Sequence, residues 1–336
     1  MFQQGVAFKY RNYSDNAVLV GKYRINLGMN KLAFVFPGQG SQQVGMLAEM
    51  LQTYAVVRQT FDEASDLLGY DVTDLALNGP LEALNRTEKT QPVLLTASIA
   101  LYRLWSEQSA LKAILFAGHS LGEYSALVAS GAVSFADAIK LVELRGQLMQ
   151  LAVPAGEGLM AAVLGLDDQS VIDGCLEAER GAVVSAVNFN TPGQVVIAGN
   201  TAAVERAMVI LKTMGAKRVL PLSVSVPSHC VLMKPAADTL AERLQAIQFN
   251  SPSAPIVQNR VAVGVTDITE IRKNLLEQLY KPVQWTKSVQ FIANAGVSEI
   301  IECGPGKVLS GLNKRIAGDV IHTAIGDLAS FQKRLG

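Results

Sequence analysis

Apolar and polar positions alternate along this chain between short unbroken runs and helical stripes. Residues 32–36 (Leu-Ala-Phe-Val-Phe) form one apolar run closed by Pro37 and Gly38, the pattern of a buried strand entering a tight loop. Helical periodicity follows over 45–68 and again over 92–105. A second apolar run, 113–117, ends in Gly118-His119-Ser120-Leu121-Gly122, and the Ala- and Leu-rich stretch after it predicts a helix. From about 158 to 226 the rhythm changes. Strand 159–164, helix 167–179, strands 183–188 and 194–198 around a turn at 190–193, helix 201–214 and strand 218–224 follow one another. That βαββαβ order is ferredoxin-like. A helix over 230–247 and a late strand, 299–303, running into Gly304-Pro305-Gly306, complete the reading.

These elements predict an α/β protein with a hydrolase-like core built on a parallel sheet and an inserted ferredoxin-like subdomain. The core is expected over 31–157 and 227–336, the subdomain over 158–226, and residues 1–30 form an extension outside both.

Composition narrows the class. Of 336 residues 49% are hydrophobic and 17% charged, ample for a large core and unlike a disordered chain. Lys+Arg and Asp+Glu stand at 29 each, so global charge argues for neither nucleic acid nor a membrane surface as partner. The three cysteines, Cys175, Cys230 and Cys303, lie far apart without a C-x-x-C, which predicts buried free thiols in a reducing compartment rather than disulfides or a zinc site. The longest uncharged stretch, 182–204, is broken by Asn188, Asn190, Pro192, Gly193, Gly199 and Asn200 and does not read as a membrane span. The first thirty residues carry Lys9, Arg11, Lys22 and Arg24 against Asp15 and lack the apolar core of a secretory signal. They read as a transit peptide or, at least as well, as a translated upstream segment before a start at Met29.

The chemistry centres on Gly118-x-Ser120-x-Gly122. Between a strand and a helix, this spacing makes a nucleophile elbow: the sharp turn lifts the serine hydroxyl out of the sheet, and the glycines let backbone pass close by. The amide of Leu121 then points where an oxyanion would form. Of the three histidines, His119 adjoins the serine and should diverge from it, and His322 lies in the tail. His229, in a proline-marked loop after a predicted strand, is the candidate general base. No carboxylate lies between Lys217 and Asp238, so what orients its ring stays open. Gly38-Gln39-Gly40 is not a dinucleotide loop, because position 43 is glutamine, and Gly306-Lys307 lacks Walker spacing.

Five motifs together carry a resemblance: Phe34 to Gln42 (FVFPGQGSQ), Gly118 to Ala126 (GHSLGEYSA), Val226 to Cys230 (VPSHC), Gln278-Leu279-Tyr280, and Gly304 to Lys307 (GPGK). In this order, from about residue 31 almost to the end, the chain resembles the bacterial-type malonyl-CoA:acyl carrier protein transacylases of fatty-acid synthesis. The resemblance implies Ser120 as acylated nucleophile and His229 as its base. It implies Gln39 beside the oxyanion site with Leu121, and Gln278 as the residue whose main-chain carbonyl holds the histidine. Arg145, at the end of a predicted helix where an arginine is ordinarily solvated, resembles the arginine that binds the malonyl carboxylate. Asn190 resembles a pocket residue. The implied partners are malonyl-CoA, a substrate, and acyl carrier protein, in the cytoplasm, with no metal or redox cofactor. Because carriers of this family are acidic, Lys217-Arg218 and Lys314-Arg315 are candidate docking patches. An acyltransferase of polyketide assembly and a thioesterase share the elbow and base and remain alternatives.

Overall fold

The computed structural model describes residues 17–20, 23–26, 31–222, 224 and 226–336. The chain divides into two compact units, Met1–Asn30 and Lys31–Gly336. In the first, β1 (Ala17–Val20) and β2 (Tyr23–Asn26) pair antiparallel. The transit-peptide reading falls mostly on residues outside those described, and Met29 is one of them.

The second unit holds two sheets. Strands β3 (Leu32–Phe36), β4 (Ala113–Gly118), β9 (Ile256–Val257), β10 (Gly264–Val265), β11 (Glu299–Glu302) and β12 (Ile321–Ala324) form a six-stranded sheet in the order β10-β9-β4-β3-β11-β12. All neighbours are parallel except β10 and β9. β3 is fully buried, which explains its unbroken apolar run: a strand inside a helix-covered parallel sheet shows no solvent face. Phe34 packs edge-on to Trp105 and Tyr102 of the helix Thr87–Gln108.

β5 (Gly158–Leu164), β6 (Val184–Thr191), β7 (Gln194–Asn200) and β8 (Arg218–Pro221) form an antiparallel sheet in the order β6-β7-β5-β8, the ferredoxin-like arrangement. Strand alternation gives it two apolar faces. Ala161, Val163, Val195 and Ile197 pack under the helices Asp168–Glu179 and Thr201–Thr213, while Met160, Val196 and Ala198 meet Cys230 on the other side. The β6 edge is joined to the larger sheet's chain: Val283 N–H donates to Val187 O (2.8 Å) and Phe189 N–H to Val283 O (3.0 Å).

Several elements differ from the sequence expectation. The stripe over 45–68 is two helices, Ala48–Thr53 and Ala55–Leu68, parted at Tyr54, whose backbone is extended. The helix expected from 92 starts at Thr87, so Pro92 lies inside it as its sixth residue, without an N–H for the carbonyl four residues back. The turn at 190–193 is narrower, since Asn190 and Thr191 still belong to β6. The strand expected over 218–224 stops at Pro221, and the helix expected over 230–247 opens with a 3₁₀ turn, Val231–Met233, before Lys234–Ala246. All three cysteines are buried and free. Among the described residues no helix is long and apolar enough to cross a membrane.

Candidate active site

Loops at the C-terminal ends of β3, β4 and β11 converge, the position where open α/β sheets place their ligands. Close backbone passage explains the glycines there. A Cβ on Gly118 would lie 1.9 Å from Gly122 C, and one on Gly122 would lie 2.0 Å from Phe36 O. Gly38 is equally confined, its Cβ position being 2.4 Å from His119 O. β4 therefore turns sharply into the helix Gly122–Ala129, and Ser120 at the bend adopts φ +52°, a left-handed conformation unfavourable for a side-chain-bearing residue. The amides of Gly122, Glu123 and Tyr124 bond the carbonyls of His119, Ser120 and Leu121, which places the amide of Leu121 ahead of the first bonded turn.

Ser120 Oγ lies 2.8 Å from His229 Nε2, and His229 Nδ1 lies 2.6 Å from the main-chain carbonyl of Gln278. A carbonyl only accepts, so Nδ1 carries the proton and Nε2 is free to accept from the serine hydroxyl. His229 itself sits at φ +64°, held by its amide to Leu279 O at 2.9 Å. It is buried, and burial, with the Arg145 guanidinium adding to it, pushes its pKa down to about 3. The ring is thus neutral, as a base must be before it accepts a proton.

Arg145 lies inside the helix Phe135–Ala152 rather than at a helix end, and is 1% exposed. The reason is its neighbour: a Cβ on Gly146 would come within 2.5 Å of Glu88 Cα, so the helix Thr87–Gln108 crosses here at closest approach. One turn along, Gln91 faces Arg145 and accepts from Nη1 (2.7 Å), while Gln278 Oε1 accepts from Nη2 (3.0 Å). Nε is buried without a partner, and among the described residues no carboxylate forms an ion pair with this guanidinium. Gln91 and Gln278 thus take two of its five N–H groups, the Tyr124 ring centroid lies 5.4 Å from Cζ, and the buried Glu123 acts on the charge electrostatically.

Ser120, His229, Arg145, Gln39 and Leu121 line one cavity of about 90 Å³, walled by apolar groups such as Met160 and Val224. Gln39 Nε2 donates to Thr87 Oγ1 at 3.3 Å. Gln278 lies behind this wall, its carbonyl on the base, its Oε1 on Arg145, and its Nε2 donating to Ser120 O (2.9 Å). Asn190 departs from expectation: its Oδ1 accepts from His119 Nε2 (2.8 Å), and Asn188 takes the place on the cavity wall. Register shifts in the β6–β7 pairing lie between Ala186 and Asn188 and between Phe189 and Thr191, so simple alternation does not predict which asparagine turns inward. His119 diverges from the serine and packs edge-on to Trp285. Lys217 and Arg218 are exposed at the start of β8, and Lys314 and Arg315 in the last turn of the helix Val308–Ile316.

Sequence reasoning missed Gln91, Glu123 and Asn259. Glu123 is fully buried and accepts from Gln258 Nε2, the Asn259 amide and Gln278 Nε2. Burial raises its pKa to about 7 against these donors. Its place one residue after the elbow glycine was the available signal. Gln91 and Asn259 carried none.

Comparison with known proteins agrees with this architecture. The acyl transferase domain model matches residues 33–310. The chain is 58% identical over 304 residues to the malonyl CoA-acyl carrier protein transacylase of Haemophilus influenzae, covering 90% of this chain and 97% of that one. With the Escherichia coli K12 enzyme of the same name it shares 58% over 307 residues, covering 91% and 99%. The crystal structure of an acyl carrier protein S-malonyltransferase from Vibrio cholerae superposes with a TM-score of 0.88 at 56% identity, over 90% of this chain and 99% of the other. A malonyl-transacylase in complex with its type II PKS acyl-carrier protein gives 0.89 at 54%, over 91% and 99%. With its parallel core, its antiparallel insert and these likenesses along nine-tenths of its length, the chain belongs to the acyl transferase domain family, in the malonyl CoA-acyl carrier protein transacylase branch.

Proposed function

We propose that this protein transfers the malonyl group from malonyl-CoA to the phosphopantetheine thiol of acyl carrier protein, supplying fatty-acid elongation. The observation that carries the reading is a buried guanidinium that forms no ion pair among the described residues and opens on the same cavity as a hydrogen-bonded Ser–His pair. An enzyme handling uncharged acyl groups has no need of that charge. A substrate carboxylate supplies a direct ion-pair partner, and in a site shielded from water the paired bonds are strong.

His229 Nε2 takes the Ser120 hydroxyl proton as Oγ bonds to the thioester carbonyl carbon. The negative charge on the carbonyl oxygen faces the amide of Leu121 in the space that Gln39 also lines. Collapse breaks the carbon–sulfur bond, and the proton on His229 passes to the leaving sulfur, releasing coenzyme A. The carrier thiol then gives its proton to His229 as its sulfur attacks the seryl ester; the ester carbon–oxygen bond breaks and His229 returns the proton to Ser120 Oγ. Protons and electrons balance in this cycle with no cofactor. Gln278 O holds the base in the required tautomer, and Arg145 fixes the acyl carbonyl over Ser120 by its far carboxylate. We assign the catalytic domain to 31–157 with 227–336 and the smaller one to 158–226, and place the enzyme in the cytoplasm, where its buried free thiols are at home.

The test is intact-mass measurement after mixing the protein with malonyl-CoA. A malonyl adduct on the wild type and none on Ser120→Ala is expected. With acyl carrier protein added, free malonate accumulating without carrier acylation would instead make it a thioesterase.

A further inference from the structure

The nucleophile's bend is strained, and the nearby glycines only permit it; something must hold it. Ser120 N–H donates to Asn259 Oδ1 (2.7 Å), and Asn259 Nδ2 donates to Gly118 O (2.6 Å). One primary amide thus satisfies the amide and the carbonyl on either side of His119, with its acceptor and its donor in the orientation only asparagine or glutamine offers. The two positions are separated by 139 residues, and Asn259 comes from the loop after β9.

Asn259 is itself fastened. Its amide donates to Glu123 Oε2 (2.8 Å), and its carbonyl accepts from Gln284 N–H (3.0 Å), next to the Val283 that pairs with β6. Glu123 is kept in place by Gln258 Nε2 at 3.1 Å and Gln278 Nε2 at 3.3 Å. Asn259, Glu123 and Gln258 have no measurable exposure, so water offers the bend no substitute partners.

We propose that Asn259, anchored by Glu123, is a positioning residue that sets the nucleophile elbow, fixing Ser120 Oγ in line with His229 without touching the substrate. This rests on the reading of Ser120 as nucleophile. A wall residue for the acyl group would alter substrate binding; a clamp on the bend alters the attack. A displacement of about 1 Å at a reacting atom can lower a rate about 100-fold.

The experiment compares the wild type with Asn259→Ala and Asn259→Asp in the full chain. Both variants are measured for malonyl transfer (kcat and KM for malonyl-CoA) and for covalent inactivation by an aromatic sulfonyl fluoride, with thermal unfolding as the fold control. The sulfonyl fluoride bears no carboxylate and reports on the serine even should the malonyl assignment fail. Ala removes both bonds; Asp keeps the acceptor for the Ser120 amide but sets an oxygen against Gly118 O. The expected result is a fall in kcat of about 30- to 100-fold for Ala and at least about tenfold for Asp, with KM within about threefold. Inactivation slows in parallel. Retained kcat and inactivation rate, a change confined to KM, or failure of both variants to fold would overturn the proposal, the last by showing that the clamp holds the fold and not the nucleophile. Retained transfer by Ser120→Ala, or sulfonylation of the wild type at a residue other than Ser120, would instead sink the underlying reading.

Discussion

Arg145→Ala tests the selectivity argument most directly. In the structure the guanidinium is 1% exposed, lends one N–H to each of Gln91 and Gln278, and keeps Nε unpartnered in the buried site. A bound malonyl carboxylate would complete it bidentately. Removing one partner of a buried, hydrogen-bonded charge pair costs about 2–5 kcal/mol, so kcat/KM for malonyl-CoA should fall by about 30- to several-thousand-fold. Acetyl-CoA offers no carboxylate. Its transfer should change less than about tenfold, through the loosened Gln91 and Gln278 side chains. The malonyl-to-acetyl ratio is therefore expected to drop by at least about threefold, and by several-hundred-fold at the upper end of that range. Parallel acylation assays with the two thioesters, read by mass, give that ratio directly. Equal losses on both would show that Arg145 supports the fold of the site and not the substrate, and would refute the reasoning.

Two further outcomes follow from geometry and charge. Gly122→Ala sets a methyl group 2.0 Å from Phe36 O and 2.9 Å from Pro37 O, both main chain. It should cost about 3 kcal/mol or more and abolish acylation, and a wild-type denaturation midpoint with intact acylation would contradict it. His229 has a folded pKa near 3 against about 6.5 unfolded, so below pH 6.5 the unfolded chain takes up a proton that the folded one refuses. Stability is then fully present above pH 6.5 and declines as pH falls toward the folded value, by about 2 kcal/mol between pH 6.5 and 5. His229→Gln should show a shallower slope in chemical denaturation across this range, the remainder coming from His119 and His322, whose pKa values burial also lowers; indistinguishable slopes would show that the ring is not buried neutral.

The parts of the site that were legible before any coordinates share one property: their meaning is local. A run of apolar residues, a glycine-serine-glycine spacing and a helix-forming stretch lie within ten positions of Ser120, and short-range sterics alone make a bend of them. The ferredoxin-like insert was readable for the same reason, its alternating strands and striped helices each declaring their own period. The segment from 248 to 298 was not. Its strands β9 and β10 are two residues long and carry no countable alternation. The placing of Arg145 was misleading for a related reason, since nothing near it in sequence announces that Gly146 admits a second helix against its backbone.

By itself the sequence determined the elbow, the strand-and-helix order, the family likeness, and the absence of a carboxylate near His229 in the chain. That the Gln278 carbonyl stands in for that acid came from the likeness and not from any pattern around His229. Tertiary structure alone decided that Asn188 lines the cavity while Asn190 bonds His119, and that Gln91, Glu123 and Asn259 belong to the site at all. Amides and buried carboxylates act by being brought within 3 Å of a particular donor or acceptor. Where the partner lies 54 or 139 residues away, no pattern in one dimension records the meeting.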